Sequence, residues 1–223
     1  MLQPDPSLPP HHDRAPGVVL AACAVVMIVA ISHHPTVGRA PRGDVLAKIV
    51  QLTALDQAVH AVVIAVAGGL LFAMVHYALR RGVRSNLVLG ALVAYCIGTL
   101  TLIGAALIDG FLVPGLAARA VHAVPGVVDA TFVVLGACAL AIQVCTKLGL
   151  VATSVAVLLW SVDLLSAPPR APAVAVIGVV TALVAPAIAF ATAYVNPQIL
   201  GAIVILQAAW YVSVAALLLR GRV

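Results

Sequence analysis

Charge is scarce in this chain of 223 residues: only 9% are Asp, Glu, Lys or Arg, where a soluble domain carries about 25%. With 64% hydrophobic residues and a mean hydropathy of +1.19, that deficit excludes an ordinary soluble fold. Strict apolar–polar alternation is also missing, which excludes an outer-membrane barrel. Aromatic residues make up 4%, and the many Ala and Gly that replace them suit close helix packing, within one chain or between chains. The four cysteines, Cys23, Cys96, Cys138 and Cys145, all fall in apolar runs and form no CxxC pair. They read as small packing residues and give no compartment. No P-loop, GxSxG or HExxH occurs, and no lysine lies in the last apolar run, which excludes a retinal Schiff base there.

What the chain has instead is a series of apolar runs of about 20 residues, long enough for a hydrocarbon core of about 30 Å. The expected fold is all-α, a polytopic helical bundle of about seven transmembrane helices. The expected spans are 17–32, 52–79, 86–108, 118–145, 148–165, 173–195 and 199–219, behind a polar tail, 1–16, that carries His11 and His12. No basic segment precedes the first run, so it is expected to be retained as a span. Pro186 is expected to kink the sixth span, and VNPQ to turn tightly into the seventh. The net charge of +5 sits between spans, where it orients helices against lipid headgroups and implies no nucleic-acid partner. The bilayer is the expected partner, with a lipophilic small molecule and a homo-oligomer or membrane complex as further partners. The expected location is a bacterial-type inner (plasma) membrane with the N-terminus inside, on the strength of the compact RRGVR cluster, Arg80 to Arg84.

The polar residues inside the runs carry the functional reading, because ionisable groups in a membrane are costly to keep. Thr53, Asp56, Gln57 and His60 recur at i, i+3, i+4 and i+7, so they share one helical face. AVHAV occurs twice, at 58–62 and 120–124, which in a seven-span layout sets His60 and His122 at similar depth. In that layout His33, His34, Asp56, His60, Asp109, His122 and Asp163 all fall at one rim. His122, Asp129, Gly136 and Gln143 follow one another at i+7, and Tyr95, Thr99 and Asp109 share a face of the third span. Gln207 and Tyr211, at i, i+4, turn toward the interior.

Three chemistries follow. Asp56 and His60 can chelate one ion, with His122 and Asp109 completing the shell. Imidazole and carboxylate suit copper, iron, zinc or manganese, and Asp129 would then handle protons as the catalytic acid. The product of that reading is a metal-dependent membrane enzyme, an oxidoreductase or hydrolase acting on a lipophilic substrate. Alternatively His60 and His122 ligate haem b in a membrane electron carrier, or the Asp/His layer serves a proton- or cation-coupled transporter. The structural alternative is a pair of hydrogen bonds, Asp56–His60 or His122–Asp129, with His33, His34, Asp109 and Asp163 simply at headgroup level. The DxxxH pair of Asp56 and His60 resembles one in the copper-binding subunit of membrane-bound methane and ammonia monooxygenases. The resemblance covers that pair alone, since the third histidine is placed differently and the rest of the chain departs from the pattern.

Overall fold

The computed structural model describes residues 14–36 and 41–222, so the expected polar tail lies almost wholly outside the described residues. Those residues form helices α1 (Ala15–Ser32), α2 (Arg42–Arg81), α3 (Asn86–Leu107), α4 (Val113–Ala120), α5 (Pro125–Ser166), α6 (Pro172–Ala191) and α7 (Pro197–Leu219). A single π-helical turn, Ile108–Leu112, joins α3 to α4. Six helical segments are long and apolar enough to cross a membrane, close to the expected seven. The chain is a multi-pass membrane protein of the expected all-α class.

The difference lies in α5. It runs unbroken through the position where a turn between two spans was expected, near Lys147. Two local features explain the continuity. Gly149 serves close packing: a Cβ there would stand 3.0 Å from the Gly98 carbonyl oxygen, so the two glycines let α3 and α5 cross with backbones nearly touching. Lys147 is satisfied sideways, its Nζ donating to the carbonyls of Thr192 (2.9 Å) and Ala193 (3.3 Å) at the end of α6. A cation at the carbonyl end of a neighbouring helix is favourably placed. Gln143, one turn earlier, donates to the Val195 carbonyl (3.1 Å) and accepts from the Val195 amide (2.8 Å). The α6–α7 connector is thus tied to the middle of α5. Asn196 then caps α7 by accepting from the Ile199 amide at 2.9 Å, with Pro197 as the first helical residue.

One unbroken helix in place of two reverses the direction of everything after it. Asp163 therefore belongs at the opposite face from His60, where Arg81 ends α2; His60 and Arg81 are roughly 31 Å apart along that helix at about 1.5 Å per residue. The membrane-spanning helices close into a ring, each packed against the next in the order α1, α2, α3, α5, α6, α7, and α7 against α1. Gly17 at the start of α1 packs on Leu219 at the end of α7, so both ends of the described chain share the Arg81 face.

The core of the ring is apolar and aromatic. Trp160, Trp210, Tyr77 and Tyr95 are fully or almost fully buried with Leu20, Met74 and Leu218. Outward-facing Leu100, Leu183, Phe190 and Ile205 stay exposed, a surface that only lipid makes favourable. Beyond the ring, at the face opposite Arg81, the first third of α2, α4 and the first half of α5 continue as a three-helix extension. Its own small core contains Leu46, Ala117 and Ala120, packed by Phe132 and Leu135. The helix α5, 42 residues long, reaches about 63 Å, roughly twice the hydrocarbon thickness.

Candidate functional site

A cavity of about 930 Å³ runs down the middle of the ring. Its mouth, on the extension side, is where the polar residues of the sequence meet. His60 on α2 is 4% exposed, and its Nδ1 donates to the Asp56 carbonyl oxygen at 2.9 Å, one helical turn away. The Asp56 carboxylate stands on the same nitrogen, Oδ1 at 3.2 Å. His34, just past the end of α1, donates from Nδ1 to the Pro35 carbonyl at 2.8 Å. A ring nitrogen facing a carbonyl must carry the proton, so each histidine keeps its Nε2 for another partner.

Both Nε2 atoms face the same group. Asp109 Oδ2 lies 3.5 Å from His60 Nε2 and 3.6 Å from His34 Nε2. The two rings meet edge to face, centroids 4.9 Å apart. His34, Asp56 and His60 each bring a ligand atom within 4.8 Å of the others. Asp109 reaches this point because it sits in the π-helical turn, where one extra residue per turn rotates the side chains that follow. Such turns recur at functional sites. The next residue, Gly110, allows the approach: a Cβ there would run into His60 Cβ and Cγ.

The other expected residues are placed elsewhere. His122 lies in the turn between α4 and α5 and is exposed, roughly 19 Å along the chain axis from Asp109 if counted at helical rise. Asp129 is exposed on the first turn and a half of α5, in the extension, and does not line the cavity. The two AVHAV copies thus sit in different settings, one within α2 and one running out of α4 into a turn. Asp163 pairs with Arg81, which removes it from the histidine rim. His33 is exposed and bonds back to the Val29 carbonyl of its own helix at 2.9 Å. Of the proposed i+7 seam, Gly136 and Gln143 line the cavity, as do Tyr95, Thr99, Asp109, Gln207 and Tyr211.

Sequence reasoning undervalued His34 and gave Gly110 no part in the site. The signal for the first was SHHP at the end of α1, and for the second a glycine directly after an intramembrane aspartate. The class these features define is a multi-pass integral membrane protein, with six helices long and apolar enough to span a membrane among the described residues, and a His/Asp cluster at the mouth of a central cavity. No family model matches the chain, and no curated protein or solved structure matches it either.

Proposed function

We propose that the chain is a membrane metalloprotein in which His34, His60 and Asp109 hold a transition-metal ion at the cavity mouth, and that the ion serves an enzymatic reaction on a lipophilic molecule in the cavity. The observation that carries this reading is the convergence of both Nε2 atoms on one oxygen, Asp109 Oδ2. Contacts of 3.5 and 3.6 Å are long for charge-assisted hydrogen bonds, which run at about 2.7–2.9 Å. Donor atoms held about 2.0–2.2 Å from a tetrahedral ion stand about 3.4 Å from one another. The two locked Nδ1–H groups leave the Nε2 lone pairs free for an ion, and the chemistry of the donors suits zinc, iron or copper. Asp56 then acts on the far nitrogen of His60, fixing its tautomer and ring orientation as carboxylates do behind metal-bound histidines. An ion bound there by three protein groups would polarise a carbonyl or activate water at its open position.

Haem b has less support than a bare ion, because His122 is remote from His60 and the His34 and His60 rings are too close to hold a macrocycle between them. A proton-coupled carrier would use the same cluster, and substrate-dependent pH change in liposomes tests it. The Arg81 face, where α1 begins and α7 ends, is assigned to the cytoplasm. Among the described residues this face carries Arg14, Arg80, Arg81, Arg84, Arg170, Arg220 and Arg222, and the other face Arg42, Lys48, Arg119 and Lys147, seven against four. The positive-inside rule then sets the metal cluster at the outer side.

The test is metal content after detergent purification, followed by zinc or cobalt titration. One equivalent is expected in the wild type and none in His60→Ala, while Asp56→Ala weakens binding by roughly 10–100-fold. His122→Ala is expected to keep its metal. Full retention of metal by His60→Ala would remove the ligand assignment.

A further inference from the structure

The cavity does not end at the histidines. It continues between the helices to a polar floor formed by Tyr95 and Thr99 of α3, Thr153 of α5, and Gln207 and Tyr211 of α7. All five are buried, none more than 9% exposed. Thr99 lies roughly 15 Å and Tyr95 roughly 21 Å from Asp109 along α3 at helical rise, which puts the floor near the middle of the bilayer. Below it the stacked indoles of Trp160 and Trp210, centroids 6.0 Å apart, close the ring.

The floor has hydrogen-bonding capacity to spare. The Tyr95 and Tyr211 hydroxyls are 3.1 Å apart, so one donates to the other, and Thr99 also reaches the Tyr95 hydroxyl. Gln207 donates one amide N–H to Thr153 Oγ1 at 3.5 Å, and its carbonyl oxygen meets no donor among the described residues. A buried amide left half-satisfied is costly, and here it faces a cavity. Between floor and mouth the wall is mainly apolar, with Leu102 and Ile103 on α3, Val63 and Ala67 on α2, and Leu200 and Val204 on α7, interrupted by Gln143 and Thr146 on α5. Among the described residues, His34, His60 and Asp109 at the mouth are the Asp, Lys, Arg or His side chains that line the cavity.

We infer that this floor binds the head of an uncharged amphiphile, a long alkyl or isoprenoid chain ending in a hydroxyl or carbonyl, with its head on Gln207, Tyr211 and Tyr95 and its chain running toward the His/Asp mouth. A charged head is excluded by cost, since nothing at the floor neutralises it. A plain hydrocarbon fills the wall and leaves the floor unpaired. The inference rests on the cavity and not on the metal.

Trp160 and Trp210, the two tryptophans of the chain, make the site self-reporting. Their rings lie 5.4 Å from Tyr95 and 5.5 Å from Tyr211 respectively, centroid to centroid. Purified protein in nanodiscs is titrated with dodecanol brominated near its head, with bromododecane, and with the matching bromododecanoate. Saturable quenching is expected with the alcohol, and only gradual partitioning with the other two. Gln207→Leu and Tyr211→Phe are each expected to weaken the alcohol by roughly tenfold, the loss of one buried hydrogen bond. Tyr211→Phe removes one oxygen and serves if the glutamine variant does not fold. Equal quenching by bromododecane or bromododecanoate, or an unchanged titration in Tyr211→Phe, overturns the proposal. The same titration on His60→Ala separates the two readings: saturable quenching there upholds the floor site whatever becomes of the metal.

Discussion

Asp163→Asn is expected to destabilise the folded bundle by about 3–5 kcal/mol, the usual result of breaking a buried ion pair by removing one partner. Arg81 and Asp163 are almost completely shielded, their side chains 1% and 4% exposed. Arg81 donates from Nε to Asp163 Oδ2 at 2.7 Å, and a second nitrogen, Nη2, stands 2.6 Å from the same oxygen. The rest of the guanidinium is spent on carbonyls of the α5–α6 connector, with Nη2 reaching Ala167 and Nη1 reaching Pro169, both at 3.0 Å. One side chain from the end of α2 therefore closes the end of α5 and shapes the route into α6. With the carboxylate gone, the guanidinium keeps its carbonyls but loses its counter-charge in a site that water does not reach. The measurement is thermal unfolding in detergent, read by helical circular dichroism. A replacement of both partners, Arg81→Met with Asp163→Leu, is expected to recover most of the loss, since an apolar pair of similar volume often substitutes for a buried ion pair. An unchanged midpoint in the single variant would mean that the pair is solvated and carries no such weight.

The same pair shows where sequence reasoning held and where it failed. Asp56 and His60 were legible because an i, i+4 relation inside one helix needs no knowledge of the fold. Tyr95 and Thr99 on α3, and Gln207 and Tyr211 on α7, were legible for the same reason, and all line the cavity; Asp109 joins them through the π-helical turn. What failed was the step from one helix to the next. Assigning residues to a rim by alternating helix direction depends on the number of turns. Lys147, a cation inside an apolar run, looks like a loop until the carbonyls of Thr192 and Ala193 are seen beside it. That single misread turn sent Asp163 to the wrong face, and an early end to the third span raised His122 to the level of His60. In the structure α3 carries on through the π-helical turn into α4 and delivers His122 beyond the ring. His34 was hard to read for another reason. Its position is set by the chain end after α1 folding over the mouth, and no periodicity applies outside a helix.

Gly110→Ala is the second large effect expected, and it acts on the site without touching a donor atom. The glycine lies in the π-helical turn against the His60 ring, so the added methyl must push apart α2 and the turn or rotate His60 away from Asp109. Overpacking of a close contact costs about 1–3 kcal/mol, occasionally more. The site has little slack, because His60 is held from behind by the Asp56 carbonyl and cannot retreat without losing that bond. Stability is therefore expected to fall moderately, while metal affinity falls by at least the 10–100-fold seen when supporting groups are lost. Gly115→Ala is the matched control: it lies on α4, and a Cβ there meets nothing within 4 Å. Both variants are titrated with cobalt and followed by its visible spectrum, which reports coordination geometry directly. Loss of the spectrum in Gly110→Ala with a retained melting transition ties the cluster to the π-helical turn. Wild-type affinity in Gly110→Ala would show that His60 and Asp109 need no close approach of α2 to this turn, and the three-donor site would lose its geometric basis.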